Sequence, residues 1–83
     1  MPYIRIEDRQ ALEKRQARTG GELNYLFTMI CKRYLTDDHG KRDVSYQKIS
    51  DILGALEGCK LELYARVILP YEAEKRKING DVF

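Results

Sequence analysis

The feature that most constrains this chain is one long segment, Ser45–Ile78, with apolar residues at helical spacing. Ile49, Ile52, Leu53, Leu56, Cys59, Leu63, Val67 and Ile78 fall close to one helix face. Leu61, Tyr64, Ile68 and Leu69 form a second, partial apolar face. As a single α-helix the segment would run ~50 Å at 1.5 Å per residue. Two features interrupt it. Gly54 and Gly58 each weaken a helix by roughly 1 kcal/mol relative to Ala. Pro70 removes a backbone hydrogen bond, so a bend is expected near Arg66. Tyr71 to Lys77 continues the helix, acidic first and basic last as the macrodipole prefers. Asn79-Gly80 stops it.

Two shorter helices precede this segment. Met1 to Ile6 contains Pro2 and β-forming residues and reads as an extended arm. Glu7 to Arg18 reads as a mostly charged helix whose small apolar stripe is Leu12 with two alanines. Thr19-Gly20-Gly21 is expected to end it. Glu22 to Leu35 gives a clear helical pattern, with Leu23, Phe27, Ile30 and Tyr34 on one stripe, widened by Leu26 and Cys31. Thr36 to Asp43 is a polar loop, and Ser45 is placed to cap the third helix.

The expected fold is therefore all-α, a single domain over residues 1–83, with three helices, the third long and kinked at its proline. Two short helices can line only one side of such a helix. Its second apolar face stays uncovered, and a symmetry mate is the simplest cover, so a homo-oligomer is expected. A tail folded back at Pro70 is the monomeric alternative.

Charge and hydropathy exclude several classes. The chain is 43% hydrophobic and 34% charged, which is globular rather than disordered. Its 15 Lys+Arg and 13 Asp+Glu leave a net charge of +2 with the signs interleaved, which argues against a polybasic nucleic-acid binder. No apolar run approaches the roughly 20 residues that span a bilayer, and no signal-peptide pattern follows Met1, so a cytoplasmic location is expected.

Catalytic chemistry has little to build on. Cys31 and Cys59 sit among apolar neighbours and read as buried free thiols. His39 is the one histidine, in the turn-like Asp37-Asp38-His39-Gly40, and without paired cysteines it makes no zinc site. Glu57, Glu62, Glu72 and Glu74 share the long helix and read as i,i+3 and i,i+4 partners of Lys60, Arg66, Lys75 and Arg76. The expectation is a non-enzyme with no cofactor and no metal.

Six polar residues are candidates for a ligand site. Asn24 lies early in an apolar helix beside Tyr25, where Leu or Ala would favour the helix more. It either tethers a neighbouring segment or recognises the polar edge of a ligand. Tyr64, Arg66 and Tyr71 flank the expected bend, and Lys75 lies one turn beyond Tyr71. These phenols and cations either lie along the rim of the core or stack on a base and hold phosphates.

Val44-Ser-Tyr-Gln-Lys-Ile-Ser-Asp-Ile-Leu-Gly, then Glu57-Gly-Cys-Lys and Leu63-Tyr-Ala-Arg, resembles the helix-turn-helix of sigma-factor region four. The resemblance implies DNA reading by a recognition helix ending at Arg66. Glu57, Glu62 and four large apolar residues between Lys60 and Leu69 depart from that pattern, because carboxylates repel phosphates.

A second resemblance covers nearly the whole chain. Met1-Pro-Tyr-Ile, Gly21-Glu-Leu-Asn-Tyr, Leu56-Glu-Gly-Cys-Lys-Leu-Glu-Leu-Tyr-Ala-Arg, Pro70-Tyr-Glu and Asn79-Gly-Asp-Val-Phe are similar to strings in a family of small tailed-phage proteins. Gly58, Ala65, Ile78 and Phe83 depart from that family's usual residues. The resemblance implies a helical phage protein acting in the host cytoplasm. Joined to the aromatic and cationic cluster at the bend, it leads to an expected function: capture of a small ligand, a nucleotide signal of host immunity, by an oligomer. The alternative is a DNA-binding or protein-binding factor that modifies host transcription or replication.

Overall fold

A computed structural model describes residues 4–83. It is all-helical, with α1 at Ile6–Glu13, α2 at Gly20–Tyr34, α3 at Tyr46–Leu63 and α4 at Leu69–Asn79. A π-helical turn, Tyr64–Ile68, joins α3 to α4, so these three pieces form the third helical segment. The chain divides into two units, Met1–Lys48 and Ile49–Phe83. The expected N-terminal arm falls partly on residues 1–3, outside the described residues.

In the first unit, α1 ends five residues before the expected Arg18. The reason lies at Thr19, which does not close α1 but opens α2. Its backbone is extended (φ −135°, ψ 163°) and its Oγ1 accepts from the Glu22 backbone N–H at 3.1 Å. Gly20 and Gly21 are consequently the first residues of α2 rather than a stop for α1. Arg15 lies between the two helices and binds Glu22 through two guanidinium nitrogens, at 3.0 and 2.9 Å. Leu12 is the one buried side chain among the described residues.

After α2, the expected polar loop is a tight hairpin with an antiparallel bridge between Thr36 and Arg42. Asp37 organises it. Its Oδ1 accepts from the backbone N–H of His39 at 2.9 Å and of Lys41 at 2.8 Å. Gly40 takes φ +77°, a left-handed conformation that suits glycine. Ser45 caps α3 as expected, its Oγ accepting from Lys48 N–H at 3.1 Å. Lys48 Nζ meets Asp43 at 2.8 Å and lies 5.7 Å from the centre of the Tyr34 ring. That pairing holds the Lys48 ammonium above its usual pKa, Asp43 being the main cause.

In the second unit the interruption comes where Pro70 placed it, at Tyr64–Ile68, as a widened turn. The Leu69 N–H reaches back five residues to the Tyr64 carbonyl instead of four. A proline ring collides with the carbonyl four residues earlier, here that of Arg66, and a wider turn relieves the collision. α4 then stops at Asn79, with Gly80 at φ +86°.

No residue from Ile49 to Phe83 is buried. Two expectations change in consequence. Cys59 is exposed and Cys31 is half-buried, so neither is a fully buried thiol; both are free. α3 also runs unbroken through Gly54–Glu57, where a helix-turn-helix needs its turn. The two glycines cost helix propensity without breaking the helix. Among the described residues, no helix is long and apolar enough to cross a membrane.

Candidate functional site

The six candidate residues belong to both units: Asn24 and Tyr25 to the first, Tyr64, Arg66, Tyr71 and Lys75 to the second. On α2, the Asn24 side chain stays local. Thr28 Oγ1 donates to the Asn24 carbonyl at 2.9 Å and lies 3.3 Å from its Oδ1, a hydroxyl contact one turn along the same helix. Tyr25, half-buried, places its hydroxyl 3.5 Å from Glu13 Oε1, at the limit of a hydrogen bond. Both contacts fit a role within the first unit.

In the second unit the widened turn itself carries Tyr64 and Arg66. Arg66 Nε donates to Glu62 Oε2 at 2.6 Å, the i,i+4 pair expected from the sequence. Tyr71 and Lys75 form a second pair one turn apart, the ammonium 5.5 Å from the ring centre. Lys75 also borders a depression of about 280 Å³, formed with Glu72, Arg76, Asn79 and the Gly80–Phe83 tail.

Of the other acids expected to pair along the helix, Glu57 finds its expected partner, whereas Lys75 and Arg76 turn to groups the sequence did not suggest. Glu57 meets Lys60 at 3.7 Å. Glu74 pairs with Lys77 rather than with a neighbour nearer in sequence, also at 3.7 Å. Arg76 approaches Asp81 at 3.9 Å.

Exposure decides what these groups can do. The Arg66 and Glu62 side chains are 79% and 67% exposed, so their ion pair is solvated and worth little by itself. Tyr64 and Tyr71 are 48% and 61% exposed. Strong recognition of a small anion requires these groups to be enclosed and partly dried. Within Ile49–Phe83, Tyr64, Arg66, Tyr71 and Lys75 present aromatic faces and cations on exposed helix surface, and of these Lys75 borders the depression by the tail. Among the described residues no group of three or more His, Cys, Asp or Glu gathers at metal-binding distance.

The interruption falls around Arg66, where Pro70 leads one to expect it, but its form differs. In place of a simple bend, a π turn sets Tyr64 and Arg66 on the same wide loop of backbone. Residues 1–82 match a family described as a domain of unknown function, DUF6899. No curated protein and no solved structure matches the chain.

Proposed function

We propose that this chain, which belongs to the DUF6899 family, is a non-enzymatic helical protein that self-associates and captures a small anionic ligand between its copies. One observation carries the reading. The unit Ile49–Phe83 exposes apolar side chains along its length, including Leu56, Leu63, Val67 and Ile78, and sets Tyr64, Arg66, Tyr71 and Lys75 among them. A helix with no fully buried side chain is poorly held by its own propensity, because helices in proteins are stabilised mainly by packing of an apolar face. A second copy would supply that packing. It would also supply a wall over the cationic and aromatic residues.

The ligand class follows from the groups present. Phenol rings stack on a base, a guanidinium grips a phosphate with two N–H groups, and an ammonium adds a point charge. A nucleotide offers both partners. The phage-like strings of the sequence make a nucleotide signal of host immunity the proposed cargo, held without chemical change in the host cytoplasm. Nanomolar capture would require about −12 kcal/mol.

The test is direct. Purified protein is incubated with a nucleotide extract containing cyclic dinucleotides and ADP-ribose derivatives, washed, and heated. Mass spectrometry of the released fraction should recover an unaltered nucleotide. Recovery of a cleaved product would assign an enzyme instead. An empty fraction from an oligomeric protein would remove the ligand and leave only self-association.

A further inference from the structure

The π turn lies where the apolar repeat of the second unit gains one residue. From Ile49 the seam runs Ile49, Leu56, Leu63, each seven residues apart, then Tyr71 after eight, then Ile78 after seven. The companion row behaves identically: Ile52 and Cys59 are seven apart, Val67 follows after eight, and Glu74 after seven. Two rows of this kind are the a and d positions of a coiled coil. One surplus residue in a regular α-helix would rotate everything beyond it by about 100°, a full face. The surplus falls between Leu63 and Tyr71 and between Cys59 and Val67, and the wide turn at Tyr64–Ile68 sits across it. A turn closed by an i→i+5 bond takes up one more residue than an α-turn. It thereby keeps both rows on one face.

Every member of the first row is exposed, from 39% at Ile49 to 68% at Ile78. Charge is distributed unevenly along the seam. On α3, Asp51, Glu57 and Glu62 outnumber Lys48 and Lys60 by one, whereas on α4 Lys75, Arg76 and Lys77 outnumber Glu72 and Glu74 by one. An antiparallel pair sets the acidic stretch of one copy against the basic stretch of the other. It also keeps Glu74 from facing its own equivalent at a d position, where like charges repel.

We infer that Ile49–Ile78 pairs antiparallel with the same segment of a second copy as a two-stranded coiled coil, the π turn absorbing the residue that breaks the heptad. The arrangement rests on the self-association proposed above and gives it a register. Its two-fold axis falls within about one turn of Leu63, midway along the seam. The two π turns then lie side by side, and Tyr64 and Arg66 of both copies flank the axis. A ligand with two phosphoryl groups would meet one guanidinium from each copy.

Sedimentation and spin labelling test this together. The wild-type mass should be twice the chain's 9.7 kDa at micromolar concentration. Leu63→Asp, on the seam, should return it to a single chain, whereas Leu61→Asp, off the seam and 57% exposed, should not. Deletion of Ala65 restores an unbroken heptad and should keep the dimer; deletion of Gly58 shifts the register and should abolish it. In a Cys31→Ala, Cys59→Ala background, a label at Ser50 should lie roughly 40 Å from its equivalent, by 1.5 Å per residue to an axis near Leu63. A single-chain mass for the wild type would overturn the register and the self-association alike. A dimer indifferent to Leu63→Asp, or one that survives loss of Gly58 but not of Ala65, would overturn the seam and leave self-association standing. A label separation under about 20 Å, set by the 8–10 Å between paired helices plus the label arms, would overturn the antiparallel order.

Discussion

Arg15 holds both carboxylate oxygens of Glu22, at 3.0 and 2.9 Å, across the turn that connects α1 to α2. The Arg18 backbone N–H donates to the same carboxylate at 2.9 Å. These contacts, the Arg15 guanidinium first and the Arg18 N–H second, take the Glu22 carboxyl from an ordinary 4.5 down to about 2. A group depressed on folding stabilises the folded state above its unfolded pKa and stops doing so as pH falls through the folded one. The first unit should therefore lose helix between about pH 4.5 and 2. Circular dichroism against pH checks this, with Glu22→Gln expected to flatten that part of the curve. An acid transition of equal size in the variant would place the lost stability elsewhere.

Thr19 supports the same corner from the other side, through its cap on Glu22 N–H. Thr19→Ala should lower unfolding stability by about 1 kcal/mol, the usual cost of a lost N-cap. Denaturant titration reads the change as a shifted midpoint with an unaltered slope. Thr19→Asp should restore most of it.

Leu12 is 1% exposed. Leu12→Ala should cost about 2–5 kcal/mol, as cavity-forming truncations do. In a unit with so little buried surface that loss should show as a melted α1–α2 region at room temperature. Amide hydrogen exchange of residues 6–34 would register it directly.

Pro70→Ala frees the turn before it to close with ordinary i→i+4 bonds. Residues beyond it should then rotate by about 100° relative to α3. The helical signal should hold or rise while the oligomer weakens. A variant that keeps both its mass and its ligand would show that the wide turn serves only the proline.

Arg66→Ala should weaken capture of a phosphorylated ligand roughly ten- to a hundred-fold, the range for losing a charged hydrogen bond. Arg66→Lys should recover part of that, because lysine keeps the charge without the planar fork. Calorimetric titration on variants that retain the wild-type mass separates this from a loss of assembly.

The parts of the fold that were legible in the sequence are those written in periodicity and caps. The stripe from Leu23 to Tyr34, the Ser45 cap and the Asn79-Gly80 stop each depend on local chemistry, and each lies within about a residue of its expected place. The corner at Thr19 was misread because Thr-Gly-Gly serves either to end one helix or to begin the next. Here the Thr19 cap on Glu22 N–H and the Arg15–Glu22 contact, seven residues apart, go with the second use. The helix-turn-helix reading failed for a related reason: glycines at 54 and 58 lower propensity, yet nothing there forces the chain out of α geometry. The interruption before Pro70 was legible because proline is the strongest local signal available. The shape of the turn was not, since a π turn arises from backbone hydrogen bonding over the whole segment.

A single wide turn within an α-helix behaves as a dislocation does in a crystal. It can glide: one hydrogen bond changes partner, the fault moves by a residue, and the side chain left behind swings to a new face. Pro70 pins this one from the C-terminal side, because a residue without an N–H cannot complete the exchange. Gliding toward the N-terminus would put an ordinary turn back beneath Pro70, and with it the collision between its ring and the Arg66 carbonyl. One residue thus pins the fault from both sides and fixes the place along the segment where α3 hands its register to α4.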